Sequence, residues 1–160
     1  MSNNAVIIKI ADCDVQISKC DFEKIKCHKW HRISSKNEKP YFSYSAWINK
    51  KSVEIRLHRF IMNAPIGMLV DHVNMDTTDN RRENLRICTK AENQQNQCKH
   101  NNNTSGYKGV CFNKRNRKWF AYINVNRLRK NLGYFNTPQA AYSAYCEAAK
   151  KYHGEFARIA

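Results

Sequence analysis

Hydrophobic and polar positions alternate or cluster differently along the chain, and the changes mark its elements. Residues 5–10 (AVIIKI) predict a short strand, and the polar stretch after them carries Val15, Ile17, Phe22 and Ile25 at a helix-compatible spacing. Three runs rich in aromatic and β-branched residues, 30–34, 41–47 and 52–57, then predict strands separated by polar turns. Two small apolar pieces, 68–70 and 85–87, flank a polar loop over 74–83 and suit a hairpin. Directly afterwards Thr89-Lys90-Ala91-Glu92 matches a capping box, so a helix is expected to begin near Lys90. Residues 96–105 are polar and Asn-rich, with nothing to bury, and predict a linker. Beyond them 108–113, 119–125 and 129–135 predict three strands. A last helix has Thr137 as N-cap, Pro138 at its first position, and Ala141, Ala144, Tyr145, Ala148 and Tyr152 on one face; Gly154 ends it. The pattern is that of an α+β protein made of small units.

Charge sharpens this picture. The chain has 160 residues, with 28 Lys and Arg against 13 Asp and Glu, a formal charge of +15. The excess is uneven: residues 94–160 hold 12 basic and 2 acidic side chains. Such a balance favours a polyanionic partner. No apolar run approaches the roughly 20 residues of a membrane span, and the opening Met1-Ser2-Asn3-Asn4 lacks the basic start and apolar core of a secretory signal. A cytoplasmic nucleic-acid partner is therefore the expectation, with no membrane involved. The seven cysteines form no Cys-x-x-Cys pair, and their odd number points to reduced thiols. The seven-residue spacing of Cys13, Cys20 and Cys27 is the one arrangement that suggests metal, and ordinary thiols are the preferred reading.

Candidate chemistry sits in the middle of the chain. Asp71-His72-Val73-Asn74 places a hard oxygen ligand beside a titratable base, a pair suited to metal-assisted hydrolysis. Adjacent residues on a straight strand face opposite ways, so joint action calls for a bend there. Asp76 and Asp79 lie in the loop, but the glycine that an EF-hand loop needs is absent. The ordered run His58-Arg59-Phe60-Ile61-Met62, Asp71-His72, Asp79-Asn80-Arg81, Asn84-Leu85-Arg86 and Glu92-Asn93-Gln94 resembles the HNH endonucleases of phage and intron-borne homing enzymes, over roughly residues 41–97. The resemblance implies a ββα-metal fold with Asp71 and Asn93 as metal ligands and His72 as general base. It implies that Asn84 ties the loop together and orients His72. Asparagine stands at 93 where many relatives have histidine, and a neutral amide oxygen favours Mg²⁺ or Mn²⁺ over softer ions. His58, expected at a strand end, is left outside the metal set.

The basic C-terminal part carries a second resemblance. Ser105-Gly106-Tyr107-Lys108-Gly109-Val110, Trp119-Phe120-Ala121-Tyr122-Ile123, Leu132-Gly133-Tyr134-Phe135, Thr137-Pro138 and the Ala/Tyr run from Ala140 to Tyr145 look like the APETALA2-type DNA-binding domain. That family lays a three-stranded antiparallel sheet, packed on one helix, into the DNA major groove. By position Lys108, Arg129, Tyr122 and Asn124 stand where the family contacts DNA, while Arg127 occupies a turn position where glycine is usual. Arg115, Arg117, Lys118 and Lys130 suit phosphate contacts.

The expected organisation is an α+β scaffold over 1–57, a nuclease motif over 58–97, a linker over 98–106 and a DNA-binding domain over 107–160. The expected function is sequence-directed, metal-dependent cleavage of double-stranded DNA by a homing-type endonuclease, acting as a monomer without an obligate protein partner. The principal rival is a DNA-binding regulator whose nuclease-like part has become an inactive scaffold. A basic RNA-binding protein fits the charge but leaves the Asp-His pair without a purpose.

Overall fold

The structure is a computed structural model that describes residues 4–35, 38–96 and 103–159. The chain divides into two compact units, Met1–Thr89 and Lys90–Ala160. Both combine small, mainly antiparallel sheets with a few helices. Most of the expected linker, residues 98–102, lies outside the described residues.

In the first unit β1 (Ala5–Ile10) turns back through Ala11, in the left-handed region at φ 54°, into the antiparallel strand β2 (Cys13–Ser18). The sequence spacing of Val15 and Ile17 had suggested helix. Here they occupy alternate positions and are fully buried, the period of a strand, because β1 and the turn fix the register against β2. Only the second half of that stretch is helical, as the single turn α1 (Phe22–Ile25). Next come β3 (His31–Arg32), shorter than expected, β4 (Phe42–Ile48) and β5 (Lys51–Arg56), forming an antiparallel sheet in the order β3-β4-β5. The turn between β4 and β5 has both central residues, Asn49 and Lys50, at positive φ, as the twist of a two-residue hairpin requires.

The chain then forms α2 (Leu57–Met62), so His58 lies in a helix rather than at the end of a strand. Its C-cap Asn63 is left-handed, and buried Leu57 and Ile61, one turn apart, face the core. The hairpin expected from the two apolar pieces is β6 (Leu69–His72) and β8 (Leu85–Cys88), paired antiparallel with Asp71 opposite Arg86 and His72 opposite Leu85. Inside the connecting loop the two-residue strand β7 (Asp79–Asn80) pairs in parallel with β2. One core joins these pieces: Ile10, Val15, Ile17, Ile25, Phe42, Leu57, Ile61 and Leu85. Arg82 locks the periphery, donating to both carboxylate oxygens of buried Asp21 and to the Ile61 carbonyl.

The second unit begins with α3 (Lys90–Gln95), at the position the capping box predicts. The segment 58–97 expected as one nuclease motif therefore straddles the boundary between the units. Next come β9 (Val110–Asn113), β10 (Lys118–Val125) and β11 (Leu128–Phe135), an antiparallel sheet with β10 in the middle. The helix α4 (Pro138–His153) starts as expected, with Thr137 Oγ1 accepting from Ala140 N, and packs on that sheet. Val110, Ala121 and Ile123 meet Ala141, Tyr145, Ala148 and Ala149 in the interior.

Candidate active site and nucleic-acid face

The loop between β6 and β8 is folded by its own polar side chains. Val73 N donates to Asn84 O at 2.8 Å, closing the loop just beyond the sheet. The Asn84 side chain, buried, accepts from Asn74 N at 3.0 Å and donates to Asp79 O at 2.7 Å. Asp79 accepts from Asn74 Nδ2 at 3.0 Å and takes two bonds of 2.8 Å from Arg81, which hold its carboxyl below the usual carboxylate range. Asp76 Oδ1 accepts from Thr78 N and Thr78 Oγ1, an Asx-type turn that completes the loop.

His72 points into this framework. It is only 5% exposed, with Tyr41 edge-on at 6.5 Å and His58 at 5.4 Å between ring centroids. Its Nε2 lies 3.3 Å from Asn80 Oδ1, and Asn80 Nδ2 donates to Thr77 O at 2.9 Å. The second bond decides the first. With the Asn80 amide nitrogen committed to a carbonyl, its oxygen faces His72, so Nε2 carries the proton and Nδ1 keeps the lone pair. Burial pushes the His72 pKa below the ordinary imidazole value, outweighing the Asn80 bond and the nearby carboxylates. Burial, with His72 and two arginines nearby, pushes His58 down to about 3. Both rings are therefore neutral at physiological pH, and a neutral imidazole with a free lone pair is a competent base.

Asp71 precedes His72 within regular β6 pairing, so the two side chains leave opposite faces of the strand. The bend follows His72 rather than separating the pair, as Met75 at φ 64° and the Val73 bond show. Asp71 Oδ2 accepts from Arg86 Nη2 at 2.9 Å and Nε at 3.1 Å. Among the described residues no three His, Cys, Asp or Glu side chains gather closely enough to hold a metal, so neither this loop nor Cys13, Cys20 and Cys27 forms a thiolate or imidazole metal cage. Asn93, the expected second ligand, lies in α3 of the second unit.

Asn84 thus touches the loop backbone, whereas the residue bonded to the His72 imidazole is Asn80. Its position in the Asp79-Asn80-Arg81 run was visible in the sequence. Its role depends on β7 lying beside β2, for which two residues give no periodic signal.

In the second unit Tyr122, Asn124 and Arg129 come together: Asn124 pairs with Arg129 across β10 and β11, and the Arg129 guanidinium lies 4.2 Å from the Tyr122 ring centroid. Arg127 sits in the adjoining turn at φ 65°, following Asn126 at φ 50°. Lys130 pairs with buried Ile123 instead, and its Nζ lies over Tyr152 of α4 at 4.4 Å, so it leaves the opposite face from Arg129. Arg115 and Arg117 occupy the exposed turn between β9 and β10. Lys108 Nζ donates to Gln95 O at 2.6 Å. A cleft in this unit is lined by Lys90, Lys108, Tyr122, Arg127, Arg129 and His153 among others, with no acidic side chain.

A buried, neutral imidazole on a polar loop between two strands of a strongly basic chain suits hydrolysis of a polyanion. The comparison with known families agrees: residues 63–95 match the HNH endonuclease family, which supports a nuclease. The chain is also 28% identical over 99 residues to Protein 3.8 of Escherichia phage T7, covering 61% of this chain and 81% of that protein. No solved structure gives a significant match. Among the described residues no helix is long and apolar enough to cross a membrane.

Proposed function

We propose that the protein is a homing-type HNH endonuclease that hydrolyses phosphodiester bonds of double-stranded DNA. The observation that carries this reading is the contact between buried His72 and Asn80 Oδ1, in the segment that matches the family. His72 Nδ1 takes the proton of the attacking water, while Nε2–H stays on Asn80 and keeps the ring from turning. Asn84 braces the loop. Asp71 and Asn93 are the residues that would hold the metal, Mg²⁺ or Mn²⁺, which would neutralise charge on the phosphate and on the departing 3′ oxygen. The products are a 3′-hydroxyl and a 5′-phosphate.

The sheet of the second unit serves as an APETALA2-like DNA-binding domain. Tyr122, Asn124 and Arg129 face the bases, and Lys108, Arg115, Arg117 and Arg127 serve the phosphates, while Lys130, over Tyr152 on the opposite face, drops out of the expected contact set. The division into scaffold 1–57, nuclease motif 58–97, linker 98–106 and DNA-binding domain 107–160 belongs to the same proposal. So do action as a monomer and a place in the host cytoplasm.

A second reading has an observation of its own. Arg86 already occupies Asp71 Oδ2, the arrangement expected if the carboxylate had become a structural ion-pair partner in a DNA-binding regulator. Incubation with supercoiled plasmid separates the two. Wild type should nick in Mg²⁺ and His72→Ala should lose at least about 100-fold in rate. Binding without cutting by wild type would establish the regulator.

A further inference from the structure

The ribbon formed by β4 and β5 ends in side chains that the fold leaves uncovered. Trp47 is 76% exposed, and Ile48 and Val53 beside it are 44% and 41% exposed. A tryptophan in water at the end of a strand contributes nothing to the core that this strand enters at Phe42, five residues earlier. The tip also carries Lys50 and Lys51. Glu54 is the one carboxylate on either strand, and it is engaged with His31 at 3.3 Å. Apolar surface and two exposed lysines are thus concentrated at one end of a narrow, two-stranded ribbon.

The other end of the ribbon is anchored at the candidate active site. Tyr41, immediately before β4, lies edge-on to both His58 and His72, and Arg56 at the end of β5 lies 5.8 Å from the Tyr41 ring. Seven residues of strand at about 3.3 Å each place the tip roughly 20 Å from that root. Along a duplex this is about six base pairs from a phosphate held at His72.

From this geometry we propose that the β4–β5 ribbon is a DNA-docking arm that enters the major groove about six base pairs from the cleaved bond, with Trp47 against base edges and Lys50 and Lys51 on flanking phosphates. The inference rests on the nuclease reading for its distance to the cut, and on charge complementarity for its partner. A two-stranded ribbon suits the major groove, about 12 Å wide, and is too broad for a minor groove of about 6 Å. Exposed apolar side chains gain burial there, and each lysine displaces counterions.

The test measures binding in EDTA, apart from cutting, with a fluorescein-labelled duplex of mixed sequence and wild type, Trp47→Ala and Lys50→Gln/Lys51→Gln. All three should unfold at the same temperature, because these side chains are solvent-exposed. Trp47→Ala should weaken binding about 10- to 100-fold and remove most of the DNA-induced quenching of tryptophan fluorescence. The double lysine variant should lower the slope of log K against log salt by about 1.8. Equal affinity and equal slope in all three proteins would overturn the proposal. So would a wild-type dimer in sedimentation that Trp47→Ala converts to monomer with DNA binding unchanged, since the tip would then be a contact between copies. If wild type binds but never nicks plasmid in Mg²⁺, the nuclease reading fails while these binding results still decide the role of the ribbon.

Discussion

Replacing Asn84 with Ala isolates the brace of the candidate catalytic loop. The side chain makes two hydrogen bonds, a part-buried one at 3.0 Å from Asn74 N and a buried one at 2.7 Å to Asp79 O, and neither partner is an ionised group. Each bond nets about 1 kcal/mol, and a buried partner left unpaired costs about 1–3 kcal/mol. Water entering the space left by the amide recovers part of this, so a loss of about 2–4 kcal/mol is expected. A unit of this size has roughly 5–10 kcal/mol in total, so Asn84→Ala should still fold, with a lower urea midpoint and an unchanged m value. Under conditions where it is folded, nicking should fall about 10- to 100-fold, because the loop also carries Asn80 and a displacement near 1 Å at His72 is costly. Asn84→Asp is the informative companion. It keeps an acceptor for Asn74 N but sets a carboxylate oxygen against the Asp79 carbonyl. It should therefore be at least as destabilised as Asn84→Ala at neutral pH, and recover as acid protonates that carboxyl. Urea titrations followed by circular dichroism read both effects. An Asn84→Ala midpoint equal to wild type would refute the reasoning, since the loop would then be held by something other than these bonds.

Two further outcomes follow from packing and protonation. Gly109 has φ +71°, and a Cβ built there meets the Tyr145 ring and the Tyr122 carbonyl oxygen, so Gly109→Ala should destabilise the second unit by about 2–5 kcal/mol; a wild-type urea midpoint for that unit would contradict this packing. His58 is held neutral down to about 3, well below its ordinary 6.5, so the unfolded chain takes up a proton that the folded one refuses as pH falls. Stability should drop by about 2–3 kcal/mol between pH 6.5 and about 4.5 and stop falling from this source near pH 3. His58→Gln should flatten that slope in urea midpoints measured across the range, and an unchanged slope would show that His58 is not the group responsible.

Legibility followed the length of the periodic signal. The helix from Pro138 carried five apolar positions on one face and its own capping residues, and it lies where the pattern placed it. The sheet before it was equally readable, because aromatic and β-branched residues alternate through β10. Val15 and Ile17 are two apart, a spacing that joins a helical pattern with Phe22 and Ile25 as easily as it forms a strand, and only pairing with β1 decides between them. Leu57–Met62 has too few residues for a period to show, and the strand expected over 52–57 placed His58 at its end. Of the candidate site, the residue types were legible and their division of labour was not. Asp71, His72 and Asn84 stand out as chemistry-bearing residues, but that Asn80 holds the imidazole depends on contacts with a strand more than sixty residues earlier.

That division of labour separates what is generic in this protein from what is particular. The bonds among His72, Asn74, Asp79, Asn80 and Asn84 run between side chains and backbone of one loop, and fix a base without reference to any sequence of DNA. In the proposed mechanism a base so placed acts on whichever phosphate reaches it. Selection must then come from elements that decide which phosphate that is, and such elements need reach, positive charge and side chains left out of the core. The Tyr122, Asn124 and Arg129 face has these properties in the second unit. The ribbon ending at Trp47 has them in the first, at a fixed distance from His72 because its root packs on the same ring that flanks the base. Substitutions in the loop should therefore change the rate at every site alike, whereas substitutions on the sheet face and the ribbon should change which sites are cut while leaving the chemistry intact.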